Sequence, residues 1–250
     1  MSTYGQYCPI AKAAEIFAER WTPLIIRELH YGVCHFNELE RGLPGIPRST
    51  LAQRLRRLEA GGVIERRGDA GGRSVTYHLT PAGHGLVSVV ELLGTWGAQH
   101  AFADPESDEL DPLLLVWWMQ RRVKFDALPA HRVVIQLDLR GFVRRGARAG
   151  TYWLVMQPQD ASLCLQHPGF DIDLVVEADV AALYRVWFGR LTFAEALRDE
   201  LITLHGPIPL ERAFPTWFAL SPFAAMVHAA SAARTALCDT PTPPGPRAQR

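Results

Sequence analysis

The sequence predicts an α+β chain in two folded parts: helices with a β-hairpin over about the first hundred residues, then an α+β domain with an antiparallel sheet. Three observations carry that expectation. Apolar residues recur at helical spacing up to about His100, with glycines closing each run. Asp104, Glu106, Asp108, Glu109 and Asp111 then follow around Pro105 and Pro112 without a basic residue, which reads as a linker. Beyond it lie short alternating runs at Val133 to Leu139, Tyr152 to Met156, Ser162 to Gln166 and Ile172 to Val176. The expected divisions are residues 1–100, an acidic linker over 101–112, a second domain over 113–237 and a disordered tail over 238–250. In the tail, Thr-Pro-Thr-Pro-Pro-Gly-Pro-Arg can sustain neither helix nor ladder.

In the first part, Thr22-Pro23 reads as a capping hydroxyl followed by a helix-starting proline, with Leu24, Ile25, Ile26 and Leu29 as the apolar stripe of a helix to about His30. Phe36 and Leu39 mark a short second helix, and Gly42-Leu43-Pro44-Gly45 a turn. The next helix, about Pro47 to Ala60, carries Leu51, Leu55 and Leu58 on its inner face and ends at Gly61-Gly62. At 100° per residue the opposite face collects Ser49, Gln53 and Arg56, with Thr50 and Arg57 on one shoulder, while Arg48 and Arg54 flank the stripe.

Overall charge is balanced at 26 basic and 26 acidic residues, yet Arg41 to Arg73 holds eight arginines against three acids. Val63 to Arg67, Gly68 to Gly72 and Arg73 to Thr80 read as strand, tip and returning strand, with Arg66, Arg67 and Arg73 near the tip. Helix, turn, basic helix and basic hairpin in this order form a winged helix-turn-helix, and the expected partner is double-stranded DNA. A helix fits the major groove, where side chains pair with base edges, and hairpin arginines reach phosphates or the minor groove. Base reading falls to Ser49, Thr50 and Gln53. Arg48, Arg54, Arg56, Arg57, Arg66, Arg67 and Arg73 are expected to grip phosphate or insert beside it.

Thr80-Pro81 repeats the start signature and opens a helix of about five turns with Leu86, Val90, Leu93 and Trp96 on one face. With Ile10 to Phe17, this is more apolar surface than so small a module covers alone, so a two-fold homodimer on a palindromic site is expected.

The strings CPIAKAAEIFAERWTPLIIRELHYG, FNELERGLPGIPRSTLAQRLRRLEAGGVIERR and YHLTPAGHGLVSVVELLGTWG, in this order over about Tyr7 to His100, resemble the HxlR family of bacterial winged-helix regulators. The resemblance implies a homodimeric DNA-binding transcription regulator, often a repressor and sometimes an activator, reading DNA with the helix from Pro47 to Ala60. Glu19-Arg20-Trp21 departs from the family's common Gly-Lys-Trp. Cys8, just before Pro9 and the first helix, stands where several members carry a thiol sensing oxidants or electrophiles; a helix amino terminus favours thiolate. A small half-buried residue is the other account of Cys8.

The second part is rich in aromatic residues, which suit either a solid core or the lining of an apolar cavity between sheet and helices. The phrase WFGRLTFAEALRDELITLHG, preceded by TYWLVMQP, ASLCLQ and FDIDLVVEAD, resembles sterol-carrier-protein type domains over about Leu113 to Ala236. That implies a pocket for an apolar small-molecule effector, with Trp153, Trp187 and Trp217 as candidate lining. Ligand binding would then modulate the DNA affinity of the recognition helices.

No nucleophile elbow, zinc helix, phosphate loop or dinucleotide turn occurs, so neither catalysis nor a cofactor or metal is expected; Asp171 and Asp173 read as one solvated strand face. Four cysteines without paired spacing and the lack of a basic-then-apolar leader point to a cytoplasmic protein with free thiols. The uncharged reach Ala213 to Ala233 is interrupted by Pro215, Ser221 and Pro222, contains His228, and reads as buried helices rather than a membrane span. Two other functions compete with ligand-regulated transcription: a redox switch at Cys8 on the same module, and a lipid carrier with secondary DNA affinity. On these assignments Gln53→Ala changes sequence preference, whereas Arg67→Ala weakens binding to every duplex and lowers the salt slope by about one unit; titrations of matched and mixed-sequence duplexes over a salt series separate the two effects.

Overall fold

Pro9 opens helix α1 (Pro9–Phe17), the first of four helices that lead to a two-stranded hairpin. The computed structural model describes residues 3–68, 74–141 and 150–238, and the chain divides into two units, Met1–Gly94 and Thr95–Arg250. Helix α2 (Thr22–His30) begins as the Thr-Pro pair predicts, but by another device. Its cap position is Trp21, in the left-handed region at φ 78, and Thr22 is a buried helical residue at 1% exposure. The Trp21 carbonyl accepts the Ile25 N–H at 2.9 Å, a donor that a capping hydroxyl at position 22 would otherwise take.

Helix α3 (Phe36–Gly42) and helix α4 (Arg48–Ala60) follow as the spacing predicts, and Leu39, Leu51, Leu55 and Leu58 are all buried. Gly62 ends α4 at φ 69, and its successor Val63 donates its N–H to the Leu58 carbonyl at 2.9 Å. Strands β1 (Ile64–Gly68) and β2 (Val75–Leu79) pair antiparallel from Ile64 opposite Leu79 to Gly68 opposite Val75. Of the tip expected over Gly68 to Gly72, Gly68 closes β1, and the rest, with Arg73 at the head of the returning strand, lies outside the described residues.

The helix expected from Pro81 is two helices, α5 (Pro81–Gly85) and α6 (Val87–His100), parted at Leu86. Thr80 does cap α5, accepting the Gly83 N–H at 3.2 Å. Gly83 and Gly85 weaken the first turns, and Leu86 turns back with its N–H on the Gly83 carbonyl at 3.0 Å. Gly83 also has a packing reason: a Cβ there would stand 2.1 Å from the Val63 carbonyl oxygen.

The unit boundary falls inside α6, and the acidic stretch is packed onto the second unit rather than spanning freely. Phe102 meets Phe188 edge-on, Asp104 pairs with Arg190 at 3.1 Å, and Leu110 is buried in the core. Asp111 caps helix α7 (Pro112–Gln120) by accepting the Leu114 N–H at 3.0 Å. A 3-10 turn at Phe125–Ala127 leads to strands β3 (Val133–Arg140), β4 (Thr151–Gln157), β5 (Asp160–Cys164) and β6 (Leu174–Asp179). Helices α8 (Val180–Trp187) and α9 (Phe193–Arg198), strand β7 (Ile202–His205), helix α10 (Ile208–Ala213), a 3-10 turn at Phe214–Thr216 and helix α11 (Ala224–Cys238) complete the unit.

The sheet order is β5-β4-β3-β6-β7, and it is mixed rather than antiparallel: β3 and β6 run parallel, with Ile135 opposite Leu174. The chain passes from edge strand β5 to the far side of β3 before re-entering, which a hairpin cannot do. Asp173 secures that re-entry. It precedes β6, and its carboxylate accepts the Val134 N–H at 2.8 Å, so Asp171 and Asp173 do not form the solvated strand face expected of them. One sheet face buries Ile135, Leu137, Leu154, Met156 and Val176 in a core shared with Phe214 and Trp217. Burial, with Asp111 nearby, pushes the Tyr184 phenol well above its ordinary range; it donates to the Asp111 carbonyl at 3.0 Å. Among the described residues no helix is long and apolar enough to cross a membrane, and the expected tail from Asp239 lies outside them.

The Gly83 contact yields a paired test. Gly83→Ala drives a methyl into the Val63 carbonyl and lowers stability by about 1–3 kcal/mol, whereas Gly85→Ala, with open space around its Cβ, is neutral or stabilising; thermal unfolding of both variants separates the outcomes.

Candidate nucleic-acid interface

Burial of Leu51, Leu55 and Leu58 turns Ser49, Gln53 and Arg56 to solvent, with Thr50 half-buried beside them. From Ser49 to Arg56 the helix advances about 10 Å, a span that lies within a major groove about 12 Å wide. The sequence-predicted base readers thus share one exposed face.

The arginines do not behave as one set. Arg56 on α4 and Arg66 on β1 are exposed and make no ion pair among the described residues. Arg48 and Arg67 are exposed but carry local partners. The Arg48 guanidinium pairs with Glu40, donates to Asn37 Oδ1 at 3.0 Å and lies 4.7 Å from the Phe36 ring centre. Arg67 donates Nε–H to Glu65 Oε1 at 2.9 Å. Exposed pairs of this kind contribute roughly 0–1 kcal/mol, so phosphate can replace the carboxylate.

Arg54 and Arg57 depart from the expectation. Both guanidinium groups turn to Glu19 in the connection between α1 and α2. Arg57 Nη1 donates to Glu19 Oε1 at 3.1 Å, and Arg54 Nη1 pairs with Glu19 Oε2. Arg54 keeps only 15% of its side chain exposed, and its Nε is buried without a hydrogen-bonded acceptor. Its position beside the leucine stripe, three residues from Leu51, is the sequence signal for this inward turn. The acidic and amide partners Glu19, Asn37, Glu40 and Glu65 escape a reading that counts arginines alone, although Glu19 stands out as the departure from the Gly-Lys-Trp pattern. Arg73 lies outside the described residues.

The second unit does not bring the three tryptophans together. Trp153 lies on the sheet face opposite the core, where its Nε1–H donates to Gln136 Oε1 at 3.1 Å and its ring meets His167 edge-on. Trp187 and Trp217 are in the core on the other face. Strand alternation explains the split, since Tyr152 and Leu154 point inward. Trp217 Nε1 is buried without a hydrogen-bond partner. Cys8 is half-buried at the cap position of α1 and makes no side-chain capping bond; Cys34 and Cys164 are also free thiols.

Fold and exposed face together define a winged helix-turn-helix module. Residues 16–105 match the model of the HxlR-like helix-turn-helix family. The chain is 32% identical over 99 residues to YvaP of Bacillus subtilis, an HTH-type transcriptional regulator, across 38% of this chain and 90% of that protein. It is 40% identical over 92 residues to the HTH-type transcriptional regulator Rv3095 of Mycobacterium tuberculosis, across 36% of this chain and 58% of that one. The match thus spans rather more than half the length of the mycobacterial relative. A solved structure, PA1607, a putative transcription factor, aligns at 31% identity with a TM-score of 0.38 over 41% of this chain and 72% of its own. The chain belongs to the HxlR-like helix-turn-helix family.

Proposed function

We propose that the protein is a DNA-binding transcription regulator, a repressor that binds a palindromic operator as a homodimer. The observation that carries this reading is the exposed face of α4, which presents Ser49, Thr50, Gln53 and Arg56 together while three leucines hold the opposite stripe inside. Ser49, Thr50 and Gln53 read bases. Arg56 and Arg66 contact phosphate, and Arg48 and Arg67 exchange Glu40 and Glu65 for phosphate on binding.

Dimerisation is supported by uncovered apolar side chains. On α6, Leu92 is 71% and Trp96 58% exposed, and at the amino terminus Ile10 is 78% exposed. Two-fold pairing through these helices would set two α4 helices about one duplex turn apart.

The second unit is proposed to carry the regulatory input, an apolar small molecule. Its aromatic core supports this reading, and so does Trp217: a buried N–H without an acceptor costs about 1–3 kcal/mol, which a ligand bearing one acceptor would recover. Ligand acts as an effector if it distinguishes the DNA-competent from the incompetent state by roughly 1–3 kcal/mol. A thiol switch at Cys8 is the second reading, favoured by a half-buried free thiol at the head of α1.

Leu92→Glu with Trp96→Glu tests the dimer: native mass spectrometry should record a monomer, and affinity for the selected palindrome should fall at least about tenfold. A double variant that remains dimeric contradicts the assignment of α6. For the thiol reading, diamide should weaken operator binding of the wild type and leave Cys8→Ser unaffected; equal responses remove it.

A further inference from the structure

The geometry points to Glu19 as a positioning residue that withholds two arginines of the recognition helix from the DNA backbone, and so sets how strongly the protein binds duplex of any sequence. The inference rests on the DNA-binding reading above. Glu19 sits in the turn between α1 and α2, where its carbonyl accepts the Thr22 N–H at 3.0 Å. Thr22 is buried and Trp21 is held in the left-handed region, so the turn is fixed from its carboxyl side and the Glu19 side chain is delivered to α4.

One carboxylate there serves two guanidinium groups, Arg57 through Oε1 and Arg54 through Oε2. Glu19 at 29% and Arg57 at 38% exposure form a pair at the margin of the module, wet enough to exchange partners, whereas Arg54, at 15% with a buried Nη1, can turn outward only once the Glu19 charge is removed. A phosphate and the Glu19 carboxylate offer these groups the same chemistry: two anionic oxygens for a planar fork of donors. They compete.

The consequence is a division of labour along α4. Arg56 remains for the backbone, while the charge of Arg54 and Arg57 is partly neutralised inside the protein. Each phosphate contact removed from the complex makes binding less salt-dependent by about 0.9 in the logarithmic slope, and the loss falls equally on all sequences. Base readers then account for a larger share of the difference between operator and other DNA. Glu19 therefore acts as a specificity determinant without touching a base.

Full-length wild type, Glu19→Gln, Arg57→Ala and the double variant can be titrated with a mixed-sequence duplex between about 50 and 200 mM salt, where such slopes are steep. Glutamine keeps the shape and removes the charge. Glu19→Gln should steepen the slope by about one to two units and tighten binding at the lowest salt by about tenfold. Arg57→Ala should change the slope only in the Glu19→Gln background, where it removes about one unit. A slope unchanged in Glu19→Gln overturns the inference, including when its melting temperature falls, because the cluster is then merely structural. A full unit lost in Arg57→Ala alone also overturns it, because Arg57 then grips phosphate despite Glu19. Wild type that binds no duplex at any salt sinks the DNA-binding reading itself, an outcome distinct from either.

Discussion

Burial of Leu51, Leu55 and Leu58 along one stripe of α4 decides which side chains of the first unit meet the outside world. Each fully buried leucine contributes about 1.5–3 kcal/mol relative to exposure. Rotating the helix by even one residue, about 100°, would expose leucine and bury arginine. The exposed set Ser49, Gln53 and Arg56 is therefore a consequence of core packing, and the proposed DNA face inherits its geometry from the hydrophobic effect.

Electrostatics then refines what packing has placed. Arg54, beside the leucine stripe, and Arg57, on the shoulder of the outer face, are both drawn into pairs with Glu19, while Arg56 on the outer face stays in solvent. Arg48 and Arg67 occupy a middle ground, exposed but tethered to Glu40 and Glu65. A basic stretch on a sequence is thus not a basic surface of equal strength. Local carboxylates divide it into arginines ready for phosphate and arginines that must first release a partner.

Periodicity made the helices and the face of α4 legible, because helical spacing converts directly into direction. The start of α2 was legible in position but not in mechanism. Thr22-Pro23 marks a helix beginning, yet whether the threonine caps depends on where the Trp21 carbonyl points, and that depends on a φ of 78 no motif records. The parallel pairing of β3 and β6 was hidden for another reason: it joins segments far apart in sequence, and alternation gives a strand's faces but not its neighbour. Trp153 shows the limit of counting aromatics. Alternation with Tyr152 and Leu154 sets it on the opposite face from Trp187 and Trp217, once the inward face is known. The break at Leu86 was foreshadowed by Gly83 and Gly85, although the Val63 carbonyl that demands Gly83 comes from the hairpin.

The central claim, that the exposed face of α4 lies in the major groove, is tested most directly by methylation interference on a duplex selected by the protein from random sequence. Methyl groups on guanine N7 occupy the major groove and those on adenine N3 the minor groove. The account predicts two clusters of interfering guanine N7 positions about 10 base pairs apart. Equal recovery of methylated and unmethylated duplex, or interference confined to adenine N3, would contradict it.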